Sequence, residues 1–228
     1  MGEIIRVDFG WREQPLSKVL TNRTRELLLN RTERLTRRHI SETKEFMRSL
    51  LQEHGYIKVN STVMNLLSPL VAGKKHEDLR AVARTMRALR LQGLAQSFGF
   101  LLVNSPHCRE IATEALVGFK KDAIHAGPAL ITILEEGAER KGTALPKRPG
   151  DAREHISRKK SALRVIAAMP PSEGSAYFKH VIGTLNDQAH WQYLPELSQA
   201  LAAMRHDSFD RLIGHYARAR GWREPRRR

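Results

Sequence analysis

The chain has 228 residues, a formal net charge of +15 and one cysteine, with 41% hydrophobic and 6% aromatic residues. That length and hydrophobic content support a folded core rather than wholesale disorder, and a single cysteine excludes an intrachain disulfide and a CxxC zinc site. Ten prolines and fifteen glycines punctuate a sequence rich in Leu, Ala, Arg and Glu, a composition that favours helix.

Residues 3–9 alternate, with Ile5, Val7 and Phe9 on one side, and predict a short strand. Pro15 suits the first turn of a helical region that runs to about Glu53 and breaks near Ser41. The stretch "HGYIKVN" at 54–60 reads as a second short strand, and Ser61 as the cap of a short helix ending near Pro69. From Lys74 to Leu102 the sequence predicts its clearest helix, because Leu79, Val82, Met86 and Leu89 recur at spacings of three and four. Ser105-Pro106 and Gly127-Pro128 open two further helices, the second reaching about Glu139.

"RKGTALPKRPGD" at 140–151 is a basic Pro/Gly linker by composition. Asp151 with Glu154 forms a capping-box-like start for a helix to Met169, which Pro170-Pro171 stops. Helices over about 173–185, 188–204 and 208–219 follow, and the chain ends in an Arg-rich tail. The expected fold is mainly α, a multi-helix bundle with two helical lobes and at most a minor two-stranded β element near the N-terminus. Residues 1–139 form the N-terminal helical domain, 140–151 the linker and 152–228 the C-terminal helical domain.

The charge is not scattered. "NRTRELLLNRTERLTRRH", residues 22–39, holds six arginines. On a continuous helix turning about 100° per residue, Arg23, Arg31, Arg34, Arg37 and Arg38 share an arc of about 120°, with Arg25 on the other side. Arg80, Arg84 and Arg87 form a stripe beside the apolar seam of the 74–102 helix. Lys147, Arg148, Arg153, Arg158, Lys159, Lys160 and Arg164 form a third cluster, and Arg218, Arg220, Arg223 and Arg226 to Arg228 a fourth. Clustered like charges repel one another unless an anion relieves them, and arginine forks match phosphate oxygens in two-point contacts. Nucleic acid, DNA or RNA, is therefore the expected partner, held by its phosphate backbone.

A catalytic site has little support in the sequence. No histidine pair has HxxxH or HExxH spacing, and no GxxxxGK[ST] or GxGxxG stretch exists. His206-Asp207 with Asp210 lacks the further aspartate well downstream that a helical phosphohydrolase site needs beside an upstream histidine. His107-Cys108 are adjacent, and adjacent side chains rarely face each other; Glu135, Glu136 and Glu139 read as the outer face of a helix. Tyr177, Phe178, Trp191 and Tyr193 read as core or interface residues rather than base-stacking platforms. Residues 197–222 give a weak helix-turn-helix pattern whose outer face carries Arg211, His215 and Arg218, without the usual glycine in the turn.

The expectation is a non-catalytic nucleic-acid-binding protein with no cofactor and no metal. It acts alone or as a subunit of a larger nucleoprotein complex. The alternative is an adaptor whose basic faces bind an acidic protein partner. With no apolar run of signal or membrane-span length, a cytoplasmic location is expected, and the sequons at Asn22, Asn30 and Asn60 are read as chance matches.

Overall fold

The computed structural model describes residues 16–30, 35–89, 95–136, 149–187 and 190–204. The described chain is mainly α: ten α-helices joined by loops and 3-10 turns, with no strand among the described residues. It divides into two compact units, Met1–Leu130 and Ile131–Arg228. The expected strand at 3–9 lies outside the described residues, as do 140–148 of the expected linker.

Helix α1 (Lys18–Leu28) starts where Ser17 Oγ accepts from the Leu20 amide. It is short. The predicted single helix over 22–39 is not continuous: Leu29 leaves helical geometry, and Thr36 caps a new helix by accepting from His39 N at 3.1 Å. Threonine competes for backbone hydrogen bonds inside helices and suits their first position, so the chain restarts there. His39 then ties the two helices together, its Nε2 lying 3.2 Å from the Leu27 carbonyl.

Helix α2 (Arg37–Ala72) departs from expectation at three points. There is no break at Ser41, residues 56–60 are helical rather than extended, and Ser61 lies mid-helix. The one interruption is Gly55, at φ 73° and ψ 162°. The apparent alternation of 54–60 is a fragment of a longer helical period in which Val59, Val63, Leu67 and Leu70 are all buried. Asn60 is 1% exposed and hydrogen-bonds Gln96, so that sequon is closed to a glycan.

Of the predicted 74–102 helix, the described residues form α3 (His76–Leu89) and α4 (Ala95–Asn104), and residues 90–94 lie outside the described set. The apolar seam of α3 is as expected: Leu79, Val82, Met86 and Leu89 are buried. Helix α5 (Arg109–Phe119) follows a 3-10 turn at Pro106–Cys108, and packs on both α3 and α4. Phe98 meets Phe119 edge to face at 6.0 Å between ring centroids. Helix α6 (Gly127–Glu135) crosses the division between the units.

In the second unit, α7 (Pro149–Ala167) begins two residues before Asp151, the expected cap. Pro170-Pro171 ends it as predicted and opens the single turn α8 (Pro171–Gly174). Short helix α9 (Phe178–Gly183) and α10 (Leu194–Ala203) complete the unit. Its core is the seam where Ala162, Leu163 and Ile166 of α7 meet Leu197, Ala200 and Leu201 of α10. No helix among the described residues is long and apolar enough to cross a membrane.

Candidate nucleic-acid interface

Helix α3 turns its apolar seam inward and leaves Arg80, Arg84 and Arg87 on the flank that faces α5. These arginines recur at spacings of four and three, so they lie along one helix face over about 10 Å. With Glu77 and Ala83 of α3, and Ile111, Glu114 and Ala115 of α5, they line a groove of about 210 Å³. Three guanidinium groups face two carboxylates there.

The three arginines differ in what they hold. Arg80 is committed to Glu77, Nη1 to Oε1 at 2.6 Å. Arg84 and Arg87 form no ion pair among the described residues, and neither does Glu114. Arg84 Nε is shielded from solvent and has no hydrogen-bond partner among the described residues. An unpartnered shielded donor on a charged group is costly, so the local structure lacks an acceptor at this point. Arg87 is exposed and lies across α5 at Gly118.

The 22–39 arc has a different fate. Arg23 is on α1 and pairs with Glu26 at 3.3 Å; Arg38 is on α2 and pairs with Glu42 at 2.7 Å. Arg37 is exposed at the start of α2, and Arg31 and Arg34 lie outside the described residues. A shared 120° arc needs one continuous helix, and the helix ends at Leu28. An apolar seam lined by Leu28, Leu66, Leu67 and Leu70 beside Arg25 holds only about 10 Å³, about the space of one water.

The third cluster is split between surface and interior. Arg153 and Arg164 are exposed on α7, and Lys160 reaches Glu196 of α10 at 3.7 Å. Arg158 is paired with Glu136 at 3.0 Å. Lys159, expected on the surface, is instead 0% exposed and serves no surface. Its ammonium donates to the Leu134 carbonyl at 2.5 Å and lies 3.7 Å from Asp187. A cation at the carbonyl end of α6 opposes that helix's partial negative charge. Lys147, Arg148, Arg211, Arg218 and the rest of the tail lie outside the described residues, as does most of the helix-turn-helix pattern.

Around Lys159 the structure assembles a buried ionic cluster that sequence reasoning missed. His155 Nε2 is 2.6 Å from Asp187 Oδ2, and His155 Nδ1 is 3.7 Å from Glu136. Hydrogen bonding to Asp187, then to Glu136, raises the His155 pKa. Burial lowers that of Lys159 to about 8 despite its carboxylate neighbours. His155 and Lys159 are one turn apart, but Asp187 is distant in sequence, so only the fold brings them together.

The other residues singled out from the sequence have structural settings. Cys108 is buried and its thiol is pushed up by burial, while His107 bonds the Val71 carbonyl at 3.0 Å and stacks on His76. Tyr177 and Tyr193 are buried, Phe178 is partly so, and Trp191 is 66% exposed. Glu135 pairs with His180 at 2.9 Å. No group of three His, Cys, Asp or Glu side chains is placed to hold a metal among the described residues. No family model, curated protein or solved structure matches the chain.

Proposed function

We propose that the protein is a non-catalytic nucleic-acid-binding protein that grips the phosphate backbone through the α3–α5 groove, alone or as a subunit of a larger nucleoprotein complex. The observation that carries this reading is the state of Arg84 and Arg87. Both line one groove and neither has a carboxylate partner among the described residues. A phosphate brings several strong acceptor oxygens and negative charge to a guanidinium fork, and a bidentate contact satisfies two N–H groups at once. The net charge of +15 adds long-range attraction that speeds encounter with a polyanion.

Arg84→Gln with Arg87→Gln is the direct test, with filter binding to short RNA and duplex DNA at several salt concentrations. The double variant keeps helix propensity near wild type but removes both forks. It is expected to melt as wild type does and to bind more weakly with a shallower salt slope. Equal binding by variant and wild type overturns the groove as the site. Displacement of a bound acidic protein, with no wild-type affinity for either nucleic acid, replaces this reading with the adaptor.

A further inference from the structure

Gly118 lies in the last turn of α5 with ordinary helical backbone, since it is not among the positive-φ residues. Glycine in a helix is less stable than alanine, so its presence there calls for a reason other than backbone geometry. The reason is next to it. A Cβ added at Gly118 would stand 2.5 Å from Arg87 Cδ, 3.2 Å from Nη1 and 3.6 Å from Cγ. The three nearest atoms all belong to one side chain from the facing helix. Gly118 is one turn beyond Glu114 and Ala115, which line the groove from α5.

We infer that Gly118 is the positioning residue of the groove: its missing Cβ is the space in which Arg87 lies across α5, and this holds the guanidinium where a backbone phosphate of a nucleic acid meets it. This rests on the nucleic-acid reading above. A methyl group there leaves the backbone free to stay helical but forces the end of a flexible side chain to move. The substitution therefore acts on Arg87 and not on the fold.

Gly118→Ala separates these effects, because stability and binding move in opposite directions. The variant is expected to melt at or above the wild-type temperature, as alanine favours helix. Its affinity for a short single-stranded RNA falls on the order of tenfold, the size of one charged hydrogen bond. Its salt slope becomes shallower to the same degree as in Arg87→Gln. The double variant Gly118→Ala with Arg87→Gln binds like Arg87→Gln alone, since both changes act on the same guanidinium. Wild-type affinity in Gly118→Ala, additive effects in the double variant, or a lowered melting temperature each overturn the proposal. A ligand-free readout separates it from the functional reading: the Arg87 Nε–Hε resonance in isotope-labelled protein shifts in Gly118→Ala. If that resonance shifts but neither wild type nor variant binds nucleic acid, the phosphate role falls and the positioning stands; an unshifted resonance overturns the positioning.

Discussion

His155 and Asp187 are joined by a 2.6 Å contact between imidazole Nε2 and carboxylate Oδ2, both buried and separated by 32 residues of chain. Lys159 lies 3.7 Å from the same oxygen. One carboxylate thus faces two basic groups where water cannot compensate either of them. Asp187→Ala leaves an ammonium and an imidazole buried without their shared counter-charge. It is expected to cost about 3–5 kcal/mol in urea unfolding, the range for breaking a buried pair from one side. A loss below about 1 kcal/mol would show that the cluster contributes little to holding α7 in place.

The same cluster sets a pH signature. The raised His155 pKa means its charged form contributes stability that is complete below the ordinary value of 6.5, and that is lost as pH rises through the folded-state value. Lys159 moves oppositely, from 10.5 down to about 8. Between those values the unfolded chain binds more protons, so this group's contribution rises with pH. The expected profile falls above pH 6.5 and recovers between about 8 and 10.5. His155→Gln removes the fall and Lys159→Met removes the recovery, as followed by denaturation at successive pH values. A wild-type profile in both variants contradicts the assignment. Lys159→Met should also leave the salt slope of nucleic-acid binding unchanged, since its ammonium reaches no surface.

Two glycines with open space around them should respond oppositely to alanine. Among the described residues, no heavy atom beyond the chain neighbours and the local helix backbone lies within 4 Å of a Cβ built at Gly55 or at Gly183. Gly55 has φ 73°, a conformation that strains any L side chain, so Gly55→Ala is expected to cost about 1–3 kcal/mol. Gly183 has φ −56° and ψ −30°, so Gly183→Ala is expected to stabilise by about 0.4–1 kcal/mol through the unfolded state. Thermal melting of the two variants checks both signs.

None of the described residues that line the α3–α5 groove is aromatic, so they offer no platform on which a base could stack. Affinity should therefore vary among RNA sequences by less than the about 1–3 kcal/mol that one stacked base contributes. A competition series with sequences of equal length and different base composition measures this. A larger spread would assign recognition to residues outside the groove.

The architecture is readable in the sequence where a physical period runs long enough. The spacing of Leu79, Val82, Met86 and Leu89 identifies both the helix and its buried face, and Pro170-Pro171 marks a helix end that the structure keeps. Short windows mislead. Seven residues at 54–60 match two-residue alternation as well as a helical turn, and only the longer run to Leu70 decides between them. The α1–α2 corner is hidden because Arg-rich sequence continues on both sides of it, and its signal lies in Thr36 as a cap. Charge alone places Lys159 on the surface, whereas its carbonyl and carboxylate partners come from α6 and from Asp187. Gly118 carries a visible signal, a glycine inside a helical pattern, but its reason is an arginine on another helix.

A salt titration of RNA binding decides whether the α3–α5 groove touches phosphate. The logarithm of the association constant falls linearly with the logarithm of salt, by about 0.7 per phosphate neutralised on a single strand. Wild type is expected to weaken steeply between about 50 and 200 mM salt. Arg84→Gln with Arg87→Gln is expected to bind more weakly at an unchanged melting temperature, its slope shallower by about 0.7 for each phosphate left without its arginine. A wild-type affinity that does not change with salt, or a double variant with the wild-type slope, contradicts phosphate binding in this groove.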